Sequence, residues 1–136
     1  NSWMVDPDVA FSLDVGIAGD VPGIEKHLAA EKLGGGPALI VYDPSLISHL
    51  KLRDFVADTD AEENIPIQYD MVLGGTDGGA THLHRGGVPT VTLCVLARHI
   101  HSHTSMIHRD DFDHLVALLV ALIRRLDSST LESIRS

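Results

Sequence analysis

Short apolar runs alternate along the chain with segments whose apolar residues recur at helical spacing. Four such runs, each bounded by Gly, Pro, Asp or polar residues, predict strands at residues 9–13, 38–42, 66–72 and 88–96. Breakers stand between them, notably the Gly34-Gly35-Gly36-Pro37 segment. Strands that alternate with helices favour an α/β class with a mixed, largely parallel sheet flanked by helices.

Helical spacing is clearest near the end of the chain, at residues 110–126. Asp110 and Asp111 open this segment and Arg124 and Arg125 close it, so both ends carry the charge that the helix dipole favours. Its apolar positions are Phe112, Leu115, Val116, Leu119, Leu122, Ile123 and Leu126. Two further helices are predicted, one capped by Ser45 with Leu46, Ile47, Leu50, Phe55 and Val56 on its apolar face, and a short one at residues 80–85. The polar tail, residues 127–136, is expected to fray.

Three polar features follow predicted strands. Asp14 ends the first strand, the run Gly74-Gly75-Thr76-Asp77-Gly78-Gly79 follows the third, and His99-Ile100-His101-Ser102-His103 follows the fourth. Ligands of open α/β sheets gather at the carboxyl ends of the strands. The sequence therefore predicts one site, built from these three features at one end of the sheet.

Each feature has a structural reading beside the functional one. Asp14 is a ligand, a general base or a loop cap. The glycine-rich run either presents backbone N–H groups to a substrate or forms a tight turn in which Thr76 or Asp77 caps a helix. The clustered histidines bind a metal or are solvated, and in an extended segment all three would face the same way. His82 and His84 lie two apart on a predicted helix and are not expected to form a ligand pair.

Composition narrows the function classes. The chain has 136 residues and a formal charge of −9, which disfavours nucleic acid and anionic membrane surfaces as partners. No stretch of eighteen apolar residues predicts a membrane helix, and no signal-peptide pattern precedes the first strand, so the start is expected to be a cut or an internal boundary. Cys94, the single cysteine, sits in an apolar run and excludes an internal disulfide, which fits a cytoplasmic setting. No Gly-x-Ser-x-Gly motif supports an α/β serine hydrolase.

Taken together, five segments resemble one family. They are Pro7-Asp8-Val9-Ala10-Phe11-Ser12-Leu13-Asp14-Val15, Ala18-Gly19-Asp20-Val21-Pro22-Gly23, Leu33-Gly34-Gly35-Gly36-Pro37-Ala38, Gly74-Gly75-Thr76-Asp77-Gly78-Gly79-Ala80-Thr81-His82 and Arg98-His99-Ile100-His101-Ser102. Their order and residues are similar to those of the tetrahedral aminopeptidases, metallopeptidases related to glutamyl aminopeptidase. Some members carry the label cellulase M or endoglucanase. Gly78 stands where the family usually has Ala, and His99 where it usually has Tyr.

The resemblance implies an enzyme that removes N-terminal residues from peptides with two divalent metal ions, zinc or cobalt. Asp14 and His101 match two of its five metal ligands and would serve different ions. Gly75, Thr76, Asp77 and Gly78 match a loop beside the substrate pocket. Neither His99 nor His103 matches a ligand position.

The resemblance also implies that residues 1–136 form the C-terminal part of the catalytic domain of a zinc-exopeptidase-like fold. Its N-terminal strands, the general-base Glu, the other three ligands and the inserted dimerisation domain would then lie upstream. We therefore expect this chain alone to be inactive and to hold metal weakly or not at all. Its expected partners are peptides and either the missing N-terminal half or other copies of itself. The alternatives are a non-catalytic, partner-binding chain and a glycan hydrolase, for which no carboxylate pair can be nominated.

Overall fold

A computed structural model of the chain describes residues 2–25, 27 and 30–136. Strands and helices alternate through the described residues. The strands are β1 (Ala10–Ile17), β2 (Ala38–Asp43), β3 (Leu46–Ile47), β4 (Gln68–Met71), β5 (Thr90–Arg98) and β6 (Met106–Ile107). The helices are α1 (Ser2–Val5), α2 (Leu50–Glu63), α3 (Gly78–His82), α4 (Arg109–Arg125) and α5 (Ser128–Arg135). None of these helices is long and apolar enough to cross a membrane.

The strands form one mixed sheet, which confirms the predicted class. β5 lies between β1 and β2, and β2 also pairs with β3 and β4. β1 runs parallel to β5 along its whole length, and β4 runs parallel to β2. β2 and β5 are antiparallel, as are the short pairings of β3 and β6. In the described part of the chain, no strand pairs with the outer edge of β1.

The two faces of the sheet differ in what covers them. One face carries Leu39, Val91 and Leu93 and packs against α2, α4 and α5, which contribute Leu52, Val56, Leu115, Leu118, Leu122 and Ile134. Ala38, Ile40, Cys94 and Leu96 form a second cluster. They share the opposite face, because side chains alternate along a strand. This second face, which we call the site face, carries the candidate chemistry.

Several predicted boundaries were wrong for local reasons. β1 continues to Ile17, so Asp14 lies inside the strand and does not end it. Ser45 caps no helix, because its hydroxyl donates to Asp43; the short strand β3 follows, and His49 caps α2 by accepting from the backbone N–H of Leu52. The short helix α3 begins at Gly78, two residues earlier than predicted.

The tail is helical and does not fray. Asp127 caps α5 by accepting a hydrogen bond from the backbone N–H of Thr130 at 2.8 Å. Ile134, on the next turn, is only 3% exposed and joins the core. The prediction failed because a single buried apolar side chain and a good cap are enough to order a short terminal helix against a neighbour.

Helix α4 carries apolar residues on two sides, and only one of these sides packs against the core. Leu115, Leu118 and Leu122 face the core, although Leu118 was missing from the predicted stripe. Three members of that stripe, Phe112, Val116 and Ile123, are instead exposed. These residues recur at helical spacing, so they form a second apolar line on the side of α4 that faces away from the core.

Candidate metal and substrate site

Asp14 lies in the middle of β1, on the site face. In the parallel register it stands beside Cys94 of β5, and neighbouring residues in register project from the same face. Its Oδ1 accepts a hydrogen bond from the backbone N–H of Val15 at 2.7 Å. The side chain is exposed, so its carboxylate is accessible from this face of the sheet.

His101 lies in a turn after β5, not in an extended segment. His99 and His101 both have left-handed backbones, with φ of 61° and 60°. This conformation is uncommon for residues other than glycine and needs support from its surroundings. The Ser102 hydroxyl supplies part of that support, since it lies 2.6 Å from the carbonyl oxygen of His99. The three histidines therefore do not alternate along a strand, contrary to the prediction from their spacing.

An ion pair fixes the strand end just before this turn. The guanidinium of Arg98 donates two hydrogen bonds to the Asp20 carboxylate, at 3.0 and 2.5 Å. Asp20 also accepts from the backbone N–H of Leu33. The bonds from Arg98 hold the pKa of Asp20 below its ordinary value. The loop after β1 and the end of β5 are thereby tied together beside His101.

One pocket on the site face brings the main candidates together. Asp14, Gly75, Thr76 and His101 all line it. Its apolar lining consists of Val15, Gly16, Ile17, Ile40, Val72, Cys94 and Ile100. His99 and His103 are not among the lining residues.

Asp77 and Gly78 have other surroundings. Asp77 is exposed at the start of α3 and makes no side-chain capping hydrogen bond, so the predicted cap is absent. Gly78 is buried: a Cβ built there would lie 2.6 Å from the Thr92 hydroxyl and 2.8 Å from Leu46. Of the predicted loop residues, Gly75 and Thr76 therefore reach the pocket, whereas Asp77 and Gly78 are absent from its lining.

The route by which these residues meet differs from the predicted one. β4 runs parallel to β2, and β2 runs antiparallel to β5. The carboxyl end of β4 thus points away from that of β5, and the three features do not follow strands at one sheet end. They meet because Asp14 lies in the middle of β1 on the site face and residues 74–79 fold back over the same face. There the hydroxyl of Thr76 lies 3.0 Å from that of Thr92.

Three acidic groups lie near Cys94 in the wall of the pocket, and two of them, Asp43 and Asp70, are buried. Burial, together with the charges of Asp14, Asp70 and Asp43, raises the pKa of the Cys94 thiol to about 12. The thiol is therefore protonated at neutral pH, and Cys94 is confirmed as a buried apolar residue. Neither Asp43 nor Asp70 was singled out from the sequence, where Asp43 ends an apolar run and Asp70 lies within a predicted strand.

The donors in the pocket fit part of a metal site. A carboxylate and an imidazole are both ligands that zinc accepts, and Asp14 and His101 supply one of each. A closed zinc site needs about four ligands and a catalytic one about three from the protein. Among the described residues, no three His, Cys, Asp or Glu side chains converge closely enough to hold an ion. The described part of the chain thus offers suitable ligands but too few of them.

Solved structures similar to this chain include a TET aminopeptidase and a protein named PhTET1-12s. A TET aminopeptidase from the marine sediment archaeon Thaumarchaeota archaeon SCGC AB-539-E09 superposes with a TM-score of 0.95 at 43% identity, over 98% of this chain and 37% of that one. PhTET1-12s, described as a dodecamer, superposes with a TM-score of 0.73 at 28% identity, over 92% of this chain and 37% of that one.

Two sequence relatives are also named as aminopeptidases. The putative aminopeptidase FrvX of Escherichia coli (strain K12) is 36% identical over 123 residues, 90% of this chain and 35% of that protein. The glutamyl aminopeptidase of Lactococcus lactis subsp. cremoris (strain MG1363) is 36% identical over 131 residues, 96% of this chain and 36% of that protein. The chain thus spans about a third of the length of these relatives. The M42 glutamyl aminopeptidase family matches residues 1–118. The chain therefore belongs to the M42 glutamyl aminopeptidase family.

Proposed function

We propose that this chain supplies one part of the active site of a metal-dependent aminopeptidase that removes N-terminal residues from peptides. The observation that carries the proposal is that Asp14 and His101 line one pocket although 101 − 14 = 87 positions separate them. Membership of the M42 family, whose members are metal-dependent, supports the same reading. Residues 1–136 would then be the C-terminal part of the catalytic domain.

In this proposal Asp14 and His101 each hold one of two divalent ions, zinc or cobalt. When bound, such ions polarise the peptide carbonyl and lower the pKa of a bound water. Paired ions lie about 3.5–4 Å apart, and each ligand atom lies about 2 Å from its ion. The Asp14 carboxylate and the His101 ring nitrogen should therefore come within roughly 8 Å of each other.

The other pocket residues position the substrate. Gly75 has no side chain and offers its backbone to the bound peptide, whereas Thr76 donates its hydroxyl and its backbone N–H to Asp43 and forms a fixed wall beside it. Asp77 and Gly78 would act only indirectly, by starting helix α3 directly after the pocket residues Gly75 and Thr76. Neither Asp14 nor His101 would act as the general base. That role falls to a glutamate outside this chain, and the chain alone is therefore expected to be inactive.

The exposed apolar surfaces indicate what the chain packs against. Leu13, Val15 and Ile17 of β1 are 51%, 42% and 52% exposed, and the outer line of α4 adds Phe112 and Val116. Apolar side chains on an edge strand favour pairing with another chain or segment. We propose that the remainder of the catalytic domain, or another copy of this chain, covers them. The same surface also supports a second candidate function, that of a non-catalytic chain that binds a protein partner.

Self-assembly and a cytoplasmic location complete the proposal. PhTET1-12s is described as a dodecamer, and the Pyrococcus horikoshii TET1 peptidase as a tetrahedron or an octahedral shell. A formal charge of −9 leaves nucleic acid and anionic membranes as poor partners. Peptides are the proposed substrates because relatives and similar structures are named as aminopeptidases.

A chimera tests the proposed function. This chain would replace the segment that it matches in the glutamyl aminopeptidase of Lactococcus lactis, and hydrolysis of aminoacyl chromogenic substrates would be measured with added zinc or cobalt. Loss of a residue that merely supports a metal ligand costs roughly 10–100-fold in activity, so Asp14→Ala and His101→Ala should each lower kcat/KM by more than about a hundredfold.

The neighbouring histidines provide matched controls. His99→Ala and His103→Ala alter the same turn without touching the pocket lining, so kcat/KM should change by only a few-fold. Circular dichroism would establish that every variant is folded. An active chimera that tolerates both Asp14→Ala and His101→Ala would rule out the proposal.

A further inference from the structure

We propose that Asp43 is a positioning residue, which holds the 74–79 loop in place as one wall of the pocket that contains Asp14 and His101. Asp43 is the last residue of β2 and only 1% of it is exposed. Its importance to a peptide site rests on the proposed function, but its effect on the loop does not.

Four hydrogen bonds converge on the Asp43 carboxylate. Oδ1 accepts from the backbone N–H and the hydroxyl of Ser45, both at 2.6 Å. Oδ2 accepts from the hydroxyl of Thr76 at 2.7 Å and from its backbone N–H at 3.3 Å. One oxygen therefore holds the turn after β2, and the other holds the loop 33 positions along the chain.

The hydroxyl of Thr76 also links the loop to the sheet. It lies 3.0 Å from the hydroxyl of Thr92 on β5. Because the Thr76 proton is donated to Asp43, the Thr92 hydroxyl is the donor in this pair. A chain of hydrogen bonds thus runs from Thr92 through Thr76 to Asp43, and each link fixes the orientation of the next.

Close packing of the loop depends on the same anchor. The Ser45 hydroxyl lies 3.1 Å from where a Cβ on Gly75 would be, and it would clash with a Cβ on Gly79. The ring Nε2 of His82 lies 2.8 Å from the Ser45 carbonyl oxygen. Ser45, fixed by Asp43, is thus the surface on which the loop rests.

The electrostatics agree with an ionised anchor. Burial would by itself raise the pKa of Asp43, but the hydrogen bonds from Ser45 and Thr76 outweigh it, and the pKa lies below its ordinary value. A buried carboxylate with both oxygens satisfied is stable as a charge, whereas removal of its acceptors leaves buried N–H donors without partners.

The decisive experiment compares Asp43→Asn with Asp111→Asn in the 136-residue chain. Asp111 is an equally buried carboxylate, at 1% exposure, that accepts from the backbone N–H groups of Gly34 and Gly36 at 2.8 Å. Neither glycine lines the pocket. Both substitutions should lower global stability, so Asp111→Asn controls for a purely structural effect.

Two readouts report on the pocket itself. One is amide hydrogen exchange at Thr76. The other is the rate at which a small thiol reagent modifies Cys94, the single cysteine, which lines the same pocket. Rates would be compared per thiolate, because the charge of Asp43 contributes to the raised pKa of that thiol.

In Asp43→Asn, both rates should rise by roughly tenfold to a hundredfold beyond the change that global unfolding explains, the range expected for loss of a hydrogen bond to a charged group. In Asp111→Asn, both rates should change only as far as global unfolding requires. Equal behaviour of the two variants would overturn the proposal.

Thr76→Val and Thr76→Ser provide a second pair with the Asp43 charge in place. Valine keeps the shape but removes the hydroxyl and should open the pocket, whereas serine should restore the protected state. Protection at Cys94 that survives Thr76→Val would also contradict the proposal. These measurements use no metal or peptide, so an inactive chimera would not contradict the role of Asp43. Equally, a failure of the Asp43 proposal would leave the proposed function untouched.

Discussion

Replacement of Asp70 by asparagine should make the chain more stable at neutral and alkaline pH and change little at acid pH. Asp70 lies in β4 on the site face and is 6% exposed. Its Oδ2 has no hydrogen-bond partner among the described residues. Burial, with a smaller contribution from the negative charge of Glu31, raises its pKa from 3.8 to about 6.

The size of the effect follows from that difference in pKa. From 3.8 to about 6 is roughly two pKa units, and each unit corresponds to about 1.36 kcal/mol, so ionised Asp70 destabilises the folded chain by about 3 kcal/mol. Between about pH 4 and pH 6, the folded state retains a proton that the unfolded state releases. The contribution of Asp70 to stability is therefore greatest below pH 3.8 and is lost as the pH rises through about 6. Asparagine does not titrate and avoids this loss.

Urea unfolding of both chains between about pH 4 and pH 8 measures the effect, because other titrating groups cancel in the difference. The free energy of unfolding of Asp70→Asn, relative to the wild type, should rise by up to about 3 kcal/mol across this range. A difference that is the same at both ends of the range would refute the reasoning.

Asp127→Asn is a control of opposite sign. The backbone N–H of Thr130 and the hydroxyl of Ser129 lower the pKa of Asp127 to about 2. Its stabilising contribution is present above pH 3.8 and is lost as the pH falls towards about 2. Asp127→Asn should therefore be less stable than the wild type, by an amount that stays constant across the range in which Asp70 titrates.

Three further predictions concern activity, association and packing. The isolated chain should not hydrolyse aminoacyl chromogenic substrates with added zinc or cobalt; turnover that co-purifies with it and disappears in His101→Ala would contradict this. It should self-associate through β1, as measured by sedimentation velocity, and Val15→Lys should reduce the association; a monomer at high concentration would argue against it. Asp111→Ala should lower the free energy of unfolding in urea by about 3 kcal/mol, because two buried N–H groups lose a charged acceptor; an unchanged midpoint would show that the bonds contribute little.

The spacing of apolar residues and the order of the motifs were enough to predict the strands and two of the residues that line the pocket. Each predicted strand exists, because a buried strand needs an apolar run whatever its neighbours are. The motifs that pointed to Asp14 and His101 led to residues that the fold brings to one pocket. These features could be predicted because each strand and each motif depends on residues within a few positions of one another.

What could not be predicted depends on contacts that are distant in sequence. The antiparallel pairing of β2 with β5 joins segments that are distant in the chain, and no local pattern encodes it. Asp43 and Asp70 both follow apolar residues, yet four hydrogen bonds converge on one whereas Oδ2 of the other has no partner among the described residues. Burial and hydrogen bonding thus separate two acids that look alike in sequence, and both depend on segments that arrive from elsewhere in the chain.

The metal content of the chimera tests the central claim most directly. If Asp14 and His101 hold different ions of one pair, the purified chimera should contain two metal ions per subunit by mass spectrometry. Asp14→Ala and His101→Ala should each contain about one, because each removes a ligand from a different ion. Two ions per subunit in both variants, with the fold intact by circular dichroism, would contradict the claim.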